Sequence, residues 1–260
     1  MPRTKVPATI TALFWVIKVL TTGMGESASD FLAHVNLLLA GVVGLGGFWW
    51  AMRRQLRADR YETKTYWFTV AMVAVFGTGV ADAVHVVGVP YPVTTAFYTV
   101  VTATVFLLWY RSEKTLSIHS ITTRRRELYY WTAVLATFAL GTAAGDFTAT
   151  SLKLGFFSSG LLFAAAIAVP LIAWRLGLNP VLAFWTAYVL TRPLGASFAD
   201  WFGKAHSFNG GLGLGDGVIT LILIALIVVL VAVVQRREVS APAAGSTRPD
   251  EPDWRLAETR

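Results

Sequence analysis

Four aspartates set the frame for this chain. Counting back from Asp30, Asp82, Asp146 and Asp200, a glycine always stands five residues earlier (Gly25, Gly77, Gly141, Gly195) and a tryptophan fifteen earlier (Trp15, Trp67, Trp131, Trp185). Phe or Tyr precedes each tryptophan (Phe14, Tyr66, Tyr130, Phe184). Three copies also carry threonine nine residues before the aspartate (Thr21, Thr137, Thr191), with Val73 in the other. An apolar run leads into each aspartate and a second one follows it. The chain therefore consists of four tandem copies of one two-helix unit, F/Y-W-x9-G-x4-D followed by a further span. Any fold must treat the four as equivalents.

The solvent of that fold is lipid. Apolar residues make up 55% of 260 and charged residues 14%, against about 25% charge in a soluble domain. Apolar segments fall near residues 8–29, 32–52, 65–82, 93–110, 129–147, 156–174, 180–200 and 216–235, most of them close to the ~20 residues that cross a bilayer. The expected fold is an all-α integral membrane protein of eight transmembrane helices, built as four parallel repeats (about 8–52, 65–110, 129–174 and 180–235) within a domain spanning 1–237. No cleavage site follows the first run, which is read as a retained helix. Of 22 Lys and Arg, 18 cluster at the N-terminus, at 53–64, at 111–126, at Arg175 and from Arg236 onward. They alternate with the spans, so the net charge of +7 reports topology and not nucleic acid. Both termini are expected in the cytoplasm of an inner-membrane protein, with 238–260 as a disordered tail and the bilayer as first partner. A homo-oligomer is left open. The absence of cysteine excludes disulfides and thiolate metal sites.

The pattern resembles a bacterial membrane-protein family of four tandem two-helix copies, each marked by a tryptophan and known as a repeat of unknown function. The stretches that carry the resemblance are GESASDFL, TLSIHSITTRRRELYYW, LGTAAGDF and LTRPLGASFADWFGK, and it spans roughly residues 8–237. It implies eight helices in the inner membrane and supplies no activity.

Chemistry must therefore come from side chains. Steps of four along the first span give Lys18, Thr22, Glu26 and Asp30, one helical face bearing a cation, a hydroxyl and two carboxylates. The equivalent face of the seventh span is Tyr188, Arg192, Ala196 and Asp200, with Pro193 beside the arginine. The third and fifth spans carry milder versions, ending in Thr78–Asp82 and Thr142–Asp146. If the odd spans surround one axis, Glu26, Asp30, Asp82, Asp146 and Asp200 meet as ligands or proton carriers. Thr22, Thr78 and Thr142 then supply neutral oxygens, and Lys18 and Arg192 act as internal counter-ions. So much buried negative charge requires protons, cations or water. His34 and His85 follow Asp30 and Asp82 by four and three residues and are candidate metal ligands. Each aromatic pair follows a basic loop and is read as an interfacial anchor. The competing reading makes each aspartate an N-cap of the next helix.

No catalytic elbow, HExxH helix or phosphate loop appears, so no enzyme is expected. The glycine run at 210–217 reads as a turn between spans. The expectation is a secondary transporter exchanging a small cation for protons, most plausibly effluxing a Mn-like divalent metal, which is bound as substrate and not as a cofactor. The alternatives are a non-transporting scaffold or sensor and a carrier of small organic cations.

Overall fold

The computed structural model describes residues 4–7 and 9–240, so most of the expected cytoplasmic tail lies outside the described residues. Among those described there are eight α-helices and no strand. They are α1 (Ala12–Val35), α2 (Leu37–Arg57), α3 (Thr63–Val86), α4 (Tyr91–Glu113), α5 (Arg124–Asp146), α6 (Gly155–Arg175), α7 (Pro180–Gly203) and α8 (Asp216–Ser240). Their starts follow ordinary capping chemistry. Thr11, Asn36, Thr123 and Asn179 accept the free N–H groups of α1, α2, α5 and α7, and Pro180 occupies the first turn of α7.

The odd helices form a closed ring, α1 against α3, α3 against α5, α5 against α7, and α7 back against α1. Each even helix packs chiefly on the odd helix of the next copy: α2 on α3, α4 on α5, α6 on α7, and α8 on α1. The repeated glycines make this ring possible. A Cβ at Gly25 would collide with Ala74, one at Gly141 with Arg192 and one at Gly195 with Thr22, while one at Gly77 would lie 2.7 Å from the Phe138 Cβ. Each glycine thus receives the same position of the following copy, and backbones approach as small residues permit in membrane packing.

The repeated tryptophans are not interfacial anchors. Trp67, Trp131 and Trp185 are buried, and each copy's leading aromatic packs on the tryptophan of the next. Ring centroids lie 5.4 Å apart for Phe14–Trp67, 5.7 Å for Tyr66–Trp131, 6.1 Å for Tyr130–Trp185 and 5.5 Å for Phe184–Trp15. Eight aromatics so close one end of the ring. The N-terminal segment lies against this end. Val6 is buried in the aromatic core, Tyr61 N–H donates to the Thr4 carbonyl at 2.9 Å, and the Lys5 ammonium donates to the buried Glu127 carboxylate at 3.0 Å.

Four helices, α3, α4, α6 and α8, are long and apolar enough to cross a membrane. The ring helices α1, α5 and α7 carry charge, but their axial charges turn inward, and the outer surface remains apolar. Leu38, Trp49, Val100, Leu161, Ile172 and Leu221 are among its exposed side chains, as expected of a face that meets acyl chains.

Candidate cation site on the ring axis

The stripe read from the sequence is the inner lining of the ring. Its steps stack in layers from the aromatic end: Phe14, Tyr66, Tyr130 and Phe184; then Lys18, Val70, Val134 and Tyr188; then Thr22, Ala74, Phe138 and Arg192; then Glu26, Thr78, Thr142 and Ala196; and last the four aspartates.

Glu26 is the hub, with only 3% of its surface exposed. Its Oε2 accepts from the Thr78 hydroxyl at 3.3 Å, the Thr142 hydroxyl at 3.1 Å and Arg192 Nη2 at 2.9 Å. The same Arg192 Nη2 donates to the Thr142 oxygen at 2.8 Å and to the Thr78 oxygen, while Nη1 donates to the Thr22 carbonyl at 2.9 Å. A hydroxyl has one donor and two acceptor lone pairs, so each threonine can serve the carboxylate and the guanidinium at once. Position 26 and its equivalents therefore converge from three copies. The fourth copy contributes Ala196 at that level and an arginine from the layer below. Arg192 is fully buried, and a buried pair of this kind holds only because both charges are matched. Pro193 beside it leaves the Val189 carbonyl without an intrahelical donor.

Above the hub, carboxylate oxygens of Glu26, Asp30 and Asp200 lie within 4.8 Å of one another. Asp30 is paired with Lys204, the residue after α7, whose ammonium also lies 3.8 Å from Asp216. Burial pulls the Lys204 amine down, yet Asp30, with Asp200 and Asp216, outweighs it and holds it above the ordinary lysine range. Asp200 is buried, and its Oδ1 has no hydrogen-bond partner. Asp82 and Asp146 are half-buried and lie outside this group of three, though both feel the charges of Glu26 and Asp30.

Several expectations change here. None of the four aspartates caps a following helix: Asp30, Asp82 and Asp200 lie inside odd helices, Asp146 closes α5, and α2 is capped by Asn36. The chain continues helically past each aspartate, so the acids end in last turns, where a helix dipole opposes them and a cation such as Lys204 is needed. The Thr22 hydroxyl does not join the site. It donates to the Val19 and Thr191 carbonyls, filling the groove over Gly195, and only its carbonyl serves Arg192. Lys18 pairs with no carboxylate. It is buried a layer below Arg192, its Nζ 4.5 Å from the Phe138 ring centre and 4.3 Å from that of Tyr188. Neither histidine belongs to the carboxylate group. His34 is exposed, with Nδ1 3.9 Å from Asp216, and His85 stacks on Tyr91 with its Nδ1 at 3.0 Å from the Val89 carbonyl.

Lys204 escaped the sequence reading, although it is the next step of four after Asp200 and one of four cations outside the five basic clusters. The glycine run is likewise explained. Leu212, Gly213, Leu214 and Gly215 N–H groups donate to the Trp201, Lys204, Phe202 and Gly203 carbonyls, so the loop caps the end of α7. Gly213 and Gly215 hold positive φ to do so.

A family model described as Repeat of Unknown Function (DUF347) matches residues 65–115, 129–176 and 183–240, which are the second, third and fourth copies. No curated protein and no solved structure matches this chain. The first copy lies outside the matched residues, yet α1 takes its place in the ring and α2 packs on the next odd helix as α4 and α6 do.

Proposed function

We infer that this chain, which belongs to the Repeat of Unknown Function (DUF347) family, is a secondary transporter that exchanges a small cation for protons across the bacterial inner membrane. The observation that carries this reading is the carboxylate group of Glu26, Asp30 and Asp200 converging on a closed ring axis beside a guanidinium already seated on Glu26. All eight helices span the bilayer in this reading. The basic loops and both termini lie in the cytoplasm, and the aspartates open toward the outer face.

Five carboxylates share the axis, and the cations paired with them are Arg192 on Glu26 and Lys204 on Asp30. The acids therefore outnumber their cations, and a divalent ion offsets more of that charge than a monovalent one. Carboxylate and threonine oxygens, with no imidazole among them, suit a hard or intermediate ion such as Mn2+ over one that prefers nitrogen. Arg192 and Lys204 are tethered stand-ins for that ion. When the cation binds, the guanidinium leaves Glu26; when it departs, the guanidinium returns, and the buried carboxylate is never left uncompensated.

Flux into proteoliposomes tests the reading directly. Wild type is expected to move Mn2+ in response to a pH gradient, and Glu26→Gln and Asp200→Asn each to lower that flux at least tenfold in monodisperse protein. Unaltered flux in both variants removes the acids from the mechanism.

A further inference from the structure

Between the Glu26 hub and the aromatic end lies one ionisable group that the cation site does not use. Lys18 is 1% exposed, and its Nζ has no hydrogen-bond partner. Its immediate surroundings are the faces of Phe138 and Tyr188, with the Arg192 guanidinium repelling it from above. One layer beneath, Tyr66 and Tyr130 share a hydrogen bond of 2.6 Å across the axis. Tyr188 is buried beside Tyr130, and their hydroxyls interact. Buried polar atoms are ordinarily satisfied, so an orphaned amine above this row of phenols calls for a role.

Resting on the transport reading, we propose that Lys18 is the proton carrier of the exchange, passing protons between the Glu26 site and the hydroxyls of Tyr188, Tyr130 and Tyr66 on the cytoplasmic side.

The surroundings narrow the choice to this residue. α7 presents Arg192 and Tyr188 to it, α5 presents Tyr130 and α3 presents Tyr66, while Glu26 stands two turns further along α1. The packing stretches 37–52 of α2 and 217–235 of α8 contain no titratable side chain. Arginine stays protonated in proteins, so Arg192 changes position without changing charge. Lysine does exchange its proton when buried. As an ammonium, Lys18 has two ring faces and no oxygen to hold its three N–H groups. As an amine it has one lone pair, ready for the next proton. An inward-moving proton binds Nζ and then leaves it. Each tyrosine that accepts a proton at Oη gives its own to the next, so every phenol ends unchanged. In the conformation described, Phe14, Tyr66, Tyr130 and Phe184 close this half with their neighbouring tryptophans, so a metal ion passes only when the ring opens there, whereas a proton can move through the closed ring.

The test uses full-length protein in proteoliposomes with Mn2+ as cargo and a pH-sensitive dye inside. Lys18→Met removes the carrier, and Lys18→Arg keeps the charge but not the exchange. Both are expected to lose pH-driven Mn2+ flux and its proton counterflow at least tenfold, while isotopic Mn2+ exchange at equal pH stays within twofold of wild type. Tyr130→Phe is expected to slow the coupled flux and spare the exchange. If either lysine variant keeps coupled flux within twofold, or if isotopic exchange is lost along with it, Lys18 is not the carrier and the transport reading stands on its own. If wild type moves no Mn2+ under either condition, both readings fall together.

Discussion

The two ends of the ring are built on the same backbone and differ in everything else. At the aromatic end, eight uncharged rings pack in a cycle; at the other, five carboxylates and two of the three axial cations crowd the same axis. The residues identical in all four copies, tryptophan, glycine and aspartate, shape the cylinder and its mouth. The residues that differ between copies line the middle: Lys18 against Val70, Val134 and Tyr188, and Glu26 against Thr78, Thr142 and Ala196. Repetition makes a container, and departure from repetition makes its contents. A strictly symmetric chain would place four like groups around one axis, four acids or four arginines, with nothing to neutralise them.

The sharpest way to break this comparison is to unbalance the middle. Arg192→Met leaves Glu26 buried without its partner and is expected to cost about 3–5 kcal/mol, read as a large fall in Tm in detergent. Adding Glu26→Gln to the same protein should recover most of that loss, because the cost belongs to the orphaned charge. A smaller but still large effect is expected from the shared positions. Gly25→Val pushes a side chain into Ala74 and should destabilise by about 1–3 kcal/mol, whatever the charge state of the site. At the aromatic end, Tyr66→Phe removes one buried hydrogen bond to Tyr130 and should cost about 1 kcal/mol. Gly46→Ala closes the series with the opposite sign. Nothing lies within 4 Å of the added methyl group on α2, so the helix should gain about 0.5–1 kcal/mol. Equal sensitivity at Gly25 and Gly46 would mean that the ring is not what the repeated glycine serves.

Much of this was legible in the residues. Eight apolar runs became eight helices, with ends shifted by a few residues, because hydrophobic length and capping side chains are local properties. Steps of four along α1 identified the inner face for the same reason. Ring closure was not legible. Periodicity says which face of a helix is polar and nothing about which neighbour it meets, so the seating of Arg192 on Glu26 depended on contacts between residues 166 positions apart. The tryptophans misled for a related reason: an indole after a basic loop suits the lipid interface equally well, and only the next copy's place in the ring decides. Thr22 looked like a ligand by its step in the stripe, but a threonine hydroxyl on a helix readily turns back to its own i−3 carbonyl. Lys204 needed only one more step of the same count.

The clasp of each even helix on the following odd helix also sets an order in time. A chain inserted from its N-terminus exposes α1, with Lys18, Glu26 and Asp30, long before Arg192, Lys204 and α8 exist. Its partners arrive only in the fourth copy. Until α7 swings round to meet α1, the ring is an open arc with an unmatched acid at its edge. Ring closure therefore waits for the fourth copy, and truncation before α7 leaves Glu26 without the guanidinium that matches it.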